Sequence, residues 1–305
     1  MGGATSGQRS SGIMEADIEP CDIDTPHQVL APSVQTLPLV FASPHSGRSY
    51  PPAFVANARL DRLSLRRSED GFVDELIAAA PELGAPLLQA NFPRAYVDVN
   101  REPFELDPRM FSEPLPGYAN THSPRVAAGL GTIARVVGNG AEIYRDKLSF
   151  AEALERIRGC YWPYHAALAQ LIEDTRDHFG ACILVDCHSM PSVGGPMDRD
   201  AGRRRVDFVL GDSHGSACDP RVPAAVETVL TRLGYNVRHN SPYSGGFVTR
   251  HYGRPWEGVH VLQVEVNRAL YMDEATLRRG PGFTRVAREM REVVAALGDL
   301  DPAGF

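Results

Sequence analysis

The sequence has no CxxC pair, and its five cysteines (Cys21, Cys160, Cys182, Cys187, Cys218) leave one over in any pairing scheme. A disulfide framework is therefore not what organises the chain. Cys182 and Cys187 flank an apolar run, where a thiol behaves as a small hydrophobe, and a reducing cytoplasm is the economical compartment. No apolar run reaches membrane-spanning length, and the N-terminus lacks the apolar region of a signal peptide, so no membrane association is expected. An excess of basic charge is missing too. The net charge is −7 with acids and bases interspersed, which argues against a nucleic-acid partner. Neither GxxxxGK[ST] nor GxGxxG occurs, so Ser244-Gly245-Gly246 reads as a substrate loop or a plain turn rather than a phosphate cradle. Ser46 and Ser189 adjoin histidines but sit in no GxSxG, which leaves a serine nucleophile without its usual context. Internal repeats are absent.

What remains is an ordinary globular composition, 305 residues with 43% hydrophobic side chains, enough for a substantial core. Residues 1–36 are polar and Pro-containing without a sustained period and read as a disordered or irregular tail. Its start, 1–11, is Gly/Ser-rich, and Met14 is an alternative first residue to Met1. From 37 to 300 one α/β domain is expected, since no linker divides it. Apolar runs predict strands at 37–42, 86–90, 96–101, 181–185, 206–211, 235–238 and 259–265. Helical periodicity marks 61–80 (interrupted near Ser68 to Gly71), 140–178 with Gly180 as its stop, 223–233 and 284–297. Strands alternating with helices imply a mostly parallel sheet covered on both faces. The Pro-rich segment 102–125 is long for a loop in a compact domain and is expected to cover a site.

Three of the apolar runs end in residues that carry chemistry. Ala181 to Val185 gives way to Asp186, Cys187, His188 and Ser189; the first strand ends in Ser43-Pro44-His45-Ser46-Gly47; and Glu265 interrupts Leu262-Gln263-Val264-Glu265-Val266-Asn267. In open α/β sheets, sites collect beyond the carboxyl ends of strands. A single histidine there is more often hydrogen-bonded than ligating, but two in equivalent places, with a carboxylate in a third, predict one zinc site. Hydrolytic zinc takes three protein ligands and keeps a position for water. The third ligand has no short-spaced candidate, because Arg48 stands three residues after His45. Asp70 and Glu69 are the nearest acids; for Asp70 a helix N-cap is an equal alternative. Asp186 either lies on the far side of the strand from His188 or supports it by accepting its second N–H. Glu265 inside an apolar strand is costly unless functional or paired, for instance with Arg268; the functional role is general base. Asn100-Arg101 could bind a substrate carboxylate through the arginine's rigid fork, while a surface position is the bland alternative for Arg101 and for Arg94.

Together these stretches resemble the N-formylglutamate amidohydrolases, relatives of zinc carboxypeptidases and aspartoacylases. The resemblance runs from 37 to 297 through Ser43 to Gly47, Asp70-Gly71 with Asp74, Asn91 to Arg94, Asp98 to Arg101, Gly131 to Arg135, Asp186 to Ser189, Tyr243 to Gly246 and Gln263 to Arg268. It implies a phosphorylase/hydrolase-like three-layer α/β fold and one zinc ion. It also implies hydrolysis of a small-molecule N-acyl amino acid, most directly N-formyl-L-glutamate to formate and L-glutamate in histidine catabolism. His45 and His188 match the two histidine ligands, with Asp70 as the inferred carboxylate because the carboxypeptidase-type HxxE is absent. Glu265 matches the general base, and Asn100 with Arg101 the substrate-carboxylate pair. Arg94, Tyr243, Ser244 and Gly245 fall to substrate binding, and Arg101 or Arg94 to the oxyanion. A carboxypeptidase, a deacylase of another acyl group, or a non-catalytic binding protein of the same fold are the rival readings.

Overall fold

A computed structural model describes residues 23–196, 198–301 and 304–305; the expectations for Cys21, the Gly/Ser-rich start and Met14 lie outside the described residues. Seven strands form one mixed sheet: β1 (His27–Leu30), β2 (Leu39–Ser43), β3 (Leu87–Ala90), β4 (Cys182–Met190), β5 (Phe208–Gly211), β6 (Val237–His239) and β7 (Val259–Asn267). Their order is β1-β3-β2-β4-β7-β5-β6. The centre, β3-β2-β4-β7, is parallel, whereas β1 and the β5-β6 pair join it antiparallel. Two expectations need correction here. His27–Leu30, placed in the irregular tail, is an edge strand pairing with β3. Residues 96–101, expected as a strand, form turns, because Tyr96 and Val97 donate their N–H groups to Pro93 and Asp98 donates to Thr132 rather than to a ladder.

Four helices matter most: α1 (Trp162–Phe179), α2 (Arg221–Arg232), α3 (Phe247–Tyr252) and α4 (Phe283–Gly298). Residues 140–149, expected as the start of a long helix, are not helical. The helix begins at Phe150, where Ser149 and Glu152 form a reciprocal capping box. A π-turn over Ile157–Tyr161 carries it into α1, which stops at Gly180 in the left-handed conformation (φ +82°). Tyr164, Leu168 and Ile172, four residues apart on α1, pack with Val40, Leu88, Leu184 and Val261 on one face of the sheet. Val222, Val226 and Val229 of α2 and Val286, Met290 and Val293 of α4 pack with Phe41, Val185 and Leu262 on the other. Three layers result, with β4 and β7 buried along their whole length. No helix among the described residues is long and apolar enough to cross a membrane.

Register decides where the polar residues fall. β2 pairs with β4 from Leu39↔Ile183 to Ala42↔Asp186, while β4 and β7 stay paired as far as Met190↔Asn267. The two central strands therefore outrun β2 at the carboxyl edge. His188 is consequently inside β4 rather than beyond it, and directly beside Glu265 of β7.

Candidate active site

The site grows from the loop that leaves β2. Ser46 Oγ lies 2.7 Å from Ser43 Oγ and donates to Asp70 O at 2.9 Å, while Asp70 N donates to His45 O at 3.0 Å. These bonds tie the His45 loop to the interruption expected at Ser68 to Gly71. The flanking helices are Arg62–Arg66 and Val73–Leu76. The first is capped by Asp61, and the second begins after Phe72, held left-handed at φ +64°, with no side-chain cap. Asp70 is therefore no N-cap, and its carboxylate is free to turn inward.

It turns to both histidines. Asp70 Oδ2 is 3.2 Å from His45 Nδ1 and 3.0 Å from His188 Nδ1. Its other oxygen accepts from Arg268 Nη2 at 3.0 Å and from Ser189 Oγ at 3.4 Å. Glu69 faces elsewhere: it accepts from the Tyr50 hydroxyl at 2.7 Å and from Arg66 Nε at 3.1 Å. Of the two candidate acids, Asp70 joins the histidines.

The far nitrogens are also tied to carboxylates. His45 Nε2 lies 2.9 Å from Asp98 Oδ1, and His188 Nε2 lies 2.9 Å from Asp186 Oδ2. Asp186, two residues before His188, shares its face of β4, so the far-side alternative is excluded by strand alternation; Cys187 packs in the opposite core. A carboxylate that accepts Nε2–H fixes the tautomer and leaves the Nδ1 lone pair pointing outward from the ring. Two such lone pairs and one carboxylate oxygen then converge within 4.8 Å in a buried space, which is repulsive without a cation between them. Burial opposes charge on both groups. Hydrogen bonds with His188 and His45 nevertheless hold the Asp70 carboxyl well below the usual carboxylate range, and Asp186 with Asp70 holds the His188 imidazole well above the usual histidine range. The cluster is built to hold positive charge, and its two-nitrogen, one-oxygen donor set fits a catalytic divalent metal ion.

Glu265 shares the sheet face of Asp186 and His188. It makes no salt bridge among the described residues, and Arg268, its expected partner, spends its guanidinium on Asp70, Ser189 and Arg67 O. Burial pushes the Glu265 carboxyl up to about 7, against the pull of His188. Gln263 orients it: Gln263 Nε2 donates to Glu265 Oε1 at 2.9 Å, and Gln263 Oε1 accepts from Gly246 N at 2.8 Å.

Asn100 links the cluster to the loop before α3. Its Oδ1 accepts from Val248 N at 2.9 Å, and its Nδ2 lies 3.1 Å from His188 Nε2. Gly246 permits this approach, since a Cβ there would stand 2.2 Å from Asn100 Oδ1. Arg94 Nε donates to Asp98 Oδ2 at 3.0 Å. Arg101 donates from Nε to Leu130 O and from Nη1 to Asn100 O; burial pulls it down to about 10, with Asp98 opposing. Tyr243 is half-buried, with the Arg205 guanidinium 5.1 Å over its ring; burial and then Glu265 push its hydroxyl up. Ser244 and Gly245 hold the loop through their carbonyls, which accept from Ser213 N and Arg250 Nη1. The sequence reading missed Asp98, Gln263 and the Asp70-directed role of Arg268. Gln263 stands two residues before Glu265 in β7, so strand alternation was the available signal for it; Asp98 lies among turns, where alternation places nothing.

The family model described as N-formylglutamate amidohydrolase matches residues 37–272. A Pseudomonas aeruginosa protein named N-formylglutamate deformylase is 31% identical over 241 residues, 78% of this chain and 83% of that one. A Pseudomonas putida protein of the same name is 28% identical over the same shares. The crystal structure of N-formylglutamate amidohydrolase from Ralstonia eutropha JMP134 superposes with a TM-score of 0.83 at 36% identity, covering 92% of this chain and 99% of the other. A protein from Agrobacterium tumefaciens at 19% identity shares the fold, with a TM-score of 0.62.

Proposed function

Because the chain belongs to the N-formylglutamate amidohydrolase family, we propose that it is a zinc-dependent amidohydrolase converting N-formyl-L-glutamate to formate and L-glutamate. The observation that carries the reading is the convergence of His45 Nδ1, His188 Nδ1 and Asp70 Oδ2, with both Nε2 atoms held by carboxylates. His45, His188 and Asp70 would hold the zinc ion, which would supply Lewis acidity toward water and toward an acyl carbonyl. Glu265 takes the proton of the attacking water and delivers it to the amide nitrogen as the C–N bond breaks. A carboxyl near neutrality suits both halves of that task. Arg94 or Arg101 stabilises the oxyanion, and Asn100 with Arg101 holds the α-carboxylate. Tyr243, Ser244 and Gly245 border the bound substrate. One α/β domain, from the edge strand at His27 to residue 300, carries the activity, and its buried free thiols Cys160, Cys182, Cys187 and Cys218 suit a reducing cytoplasm.

The test is metal analysis together with a panel of N-formyl, N-acetyl and N-succinyl amino acids. Formate release from N-formyl-L-glutamate, lost on chelation and restored by zinc, is expected. Preference for another acyl group would move the assignment to a different deacylase, and cleavage of C-terminal peptide bonds to a carboxypeptidase.

A further inference from the structure

Asn100 and Arg101 stand on a turn that no strand ladder supports, yet three successive carbonyls of that turn each have a partner, as buried backbone polar groups require. Asn100 O accepts from Arg101 Nη1 at 2.8 Å and from Phe247 N at 3.4 Å. The carbonyls on either side receive no backbone N–H among the described residues. One helix face holds both of them instead. His165 Nε2 donates to Val99 O at 2.8 Å, and the Tyr161 hydroxyl donates to Arg101 O at 2.8 Å. All four side chains, Asn100, Arg101, Tyr161 and His165, are buried, so a deleted donor would leave its carbonyl unpaired rather than solvated. Neither Tyr161 nor His165 lines the cavity that Asn100 and Arg101 border; they reach it only through the backbone.

The two donors are four residues apart and share a helix face, their ring centroids 4.3 Å apart. Tyr161 closes the π-turn, and Trp162 opens α1. Pro163 accounts for the widened turn. It has no N–H, and its ring collides with the carbonyl four residues back, so the helix from Phe150 cannot run on regularly. Turns of this kind are frequent at functional sites. The same face also reaches α3. A carbonyl can only accept, so His165 Nε2 carries the proton and Nδ1 accepts, from the Tyr252 hydroxyl at 2.9 Å. Tyr252 ends the helix whose Val248 N donates to Asn100 Oδ1. The Asn100 turn and α3 are thus fastened together to α1. We propose that Tyr161 and His165 are positioning residues for substrate binding, acting through Arg101 O and Val99 O to hold Asn100 and Arg101 where they receive the α-carboxylate. The inference rests on the hydrolase reading given above.

The experiment measures kcat and KM for N-formyl-L-glutamate in the zinc-loaded full chain and in Tyr161→Phe, His165→Leu and His165→Gln. Tyr161→Phe deletes one oxygen and keeps the ring. It should raise KM at least fivefold, with kcat within threefold of wild type and zinc content unchanged. His165→Leu should act likewise, and His165→Gln, which still offers an N–H toward Val99 O, should recover part of the loss. A KM rise below fivefold in Tyr161→Phe, or a kcat loss beyond threefold, overturns the proposal. A His165→Gln no better than a folded His165→Leu overturns it too; if His165→Leu does not fold, Tyr161→Phe decides alone. Amide hydrogen exchange at Val248, whose acceptor is Asn100 Oδ1, reads the turn without substrate. If the wild type releases formate from no N-formyl amino acid, the hydrolase reading fails and exchange decides the clasp separately. Exchange at least fivefold faster in Tyr161→Phe upholds it, and a smaller change overturns it.

Discussion

His188 Nδ1 lies 3.0 Å from Asp70 Oδ2, although 118 positions separate the two residues. The contact depends on two independent constructions: the register that carries β4 past the end of β2, and the serine-stitched loops that swing Asp70 inward. Arg268 and Ser189 hold Asp70's other oxygen, so a single oxygen is presented to both imidazoles.

Removing a ligand should therefore empty the site. His188→Ala and Asp70→Asn are each expected to lower zinc stoichiometry after gel filtration, with affinity reduced at least tenfold. Zinc content equal to wild type in both would remove these residues from the ligand set.

Glu265→Gln keeps the shape and the hydrogen bond with Gln263 while deleting the base. Zinc should stay bound and kcat should fall about 10²–10⁴-fold, the usual contribution of a positioned acid-base group. Turnover within a few-fold of wild type would assign the proton transfer to another group.

The outer carboxylates fix the imidazole tautomers, so Asp186→Asn and Asp98→Asn should weaken metal binding roughly 10–100-fold without abolishing it. Titration against a competing chelator measures this. Affinity unchanged in either variant would mean that the ring is oriented without that carboxylate.

Gly246→Ala places a methyl group 2.2 Å from Asn100 Oδ1, inside contact distance. Asn100 or the α3 loop must shift, at about 1–3 kcal/mol of overpacking strain. A raised KM with zinc content preserved is the expected signature, and wild-type KM and melting temperature together would refute the close approach.

Acid sensitivity should come in part from His165, outside the metal cluster. This residue is buried between Val99 O and the Tyr252 hydroxyl, and burial lowers its pKa from 6.5 to about 4. Above pH 6.5 both folded and unfolded chains carry it neutral, so nothing is lost. As pH falls from 6.5 toward 4 the unfolded chain takes up a proton that the folded one refuses, costing roughly 3 kcal/mol in all. Urea unfolding of the metal-free chain at pH 7 and pH 5 should show the decline, and His165→Leu should flatten it. An equal decline in that variant would place the acid sensitivity elsewhere.

Much of this was legible in the chain itself. The continuous apolar runs before His45, His188 and Glu265 announced strands buried on both faces, and Gly180 announced the end of α1 before β4. Local chemistry sufficed because periodicity and punctuation are properties of neighbouring residues. Other features were decided only by tertiary structure. Nothing local distinguishes Asp70 from Glu69; the choice falls to Tyr50 and Arg66, which occupy Glu69, and to Arg268, which turns Asp70 toward the histidines. Residues 96–101 alternate like a strand yet form turns, because Asp98 is recruited by His45 and Thr132 rather than by a neighbouring ladder. His27–Leu30 is short and lies largely at the surface, and becomes a strand only because β3 presents it with an open edge. The sequence by itself determined which side chains stand at strand ends. Which of them meet was settled by register and loop closure, because those depend on partners from 24 to 144 residues away in the chain.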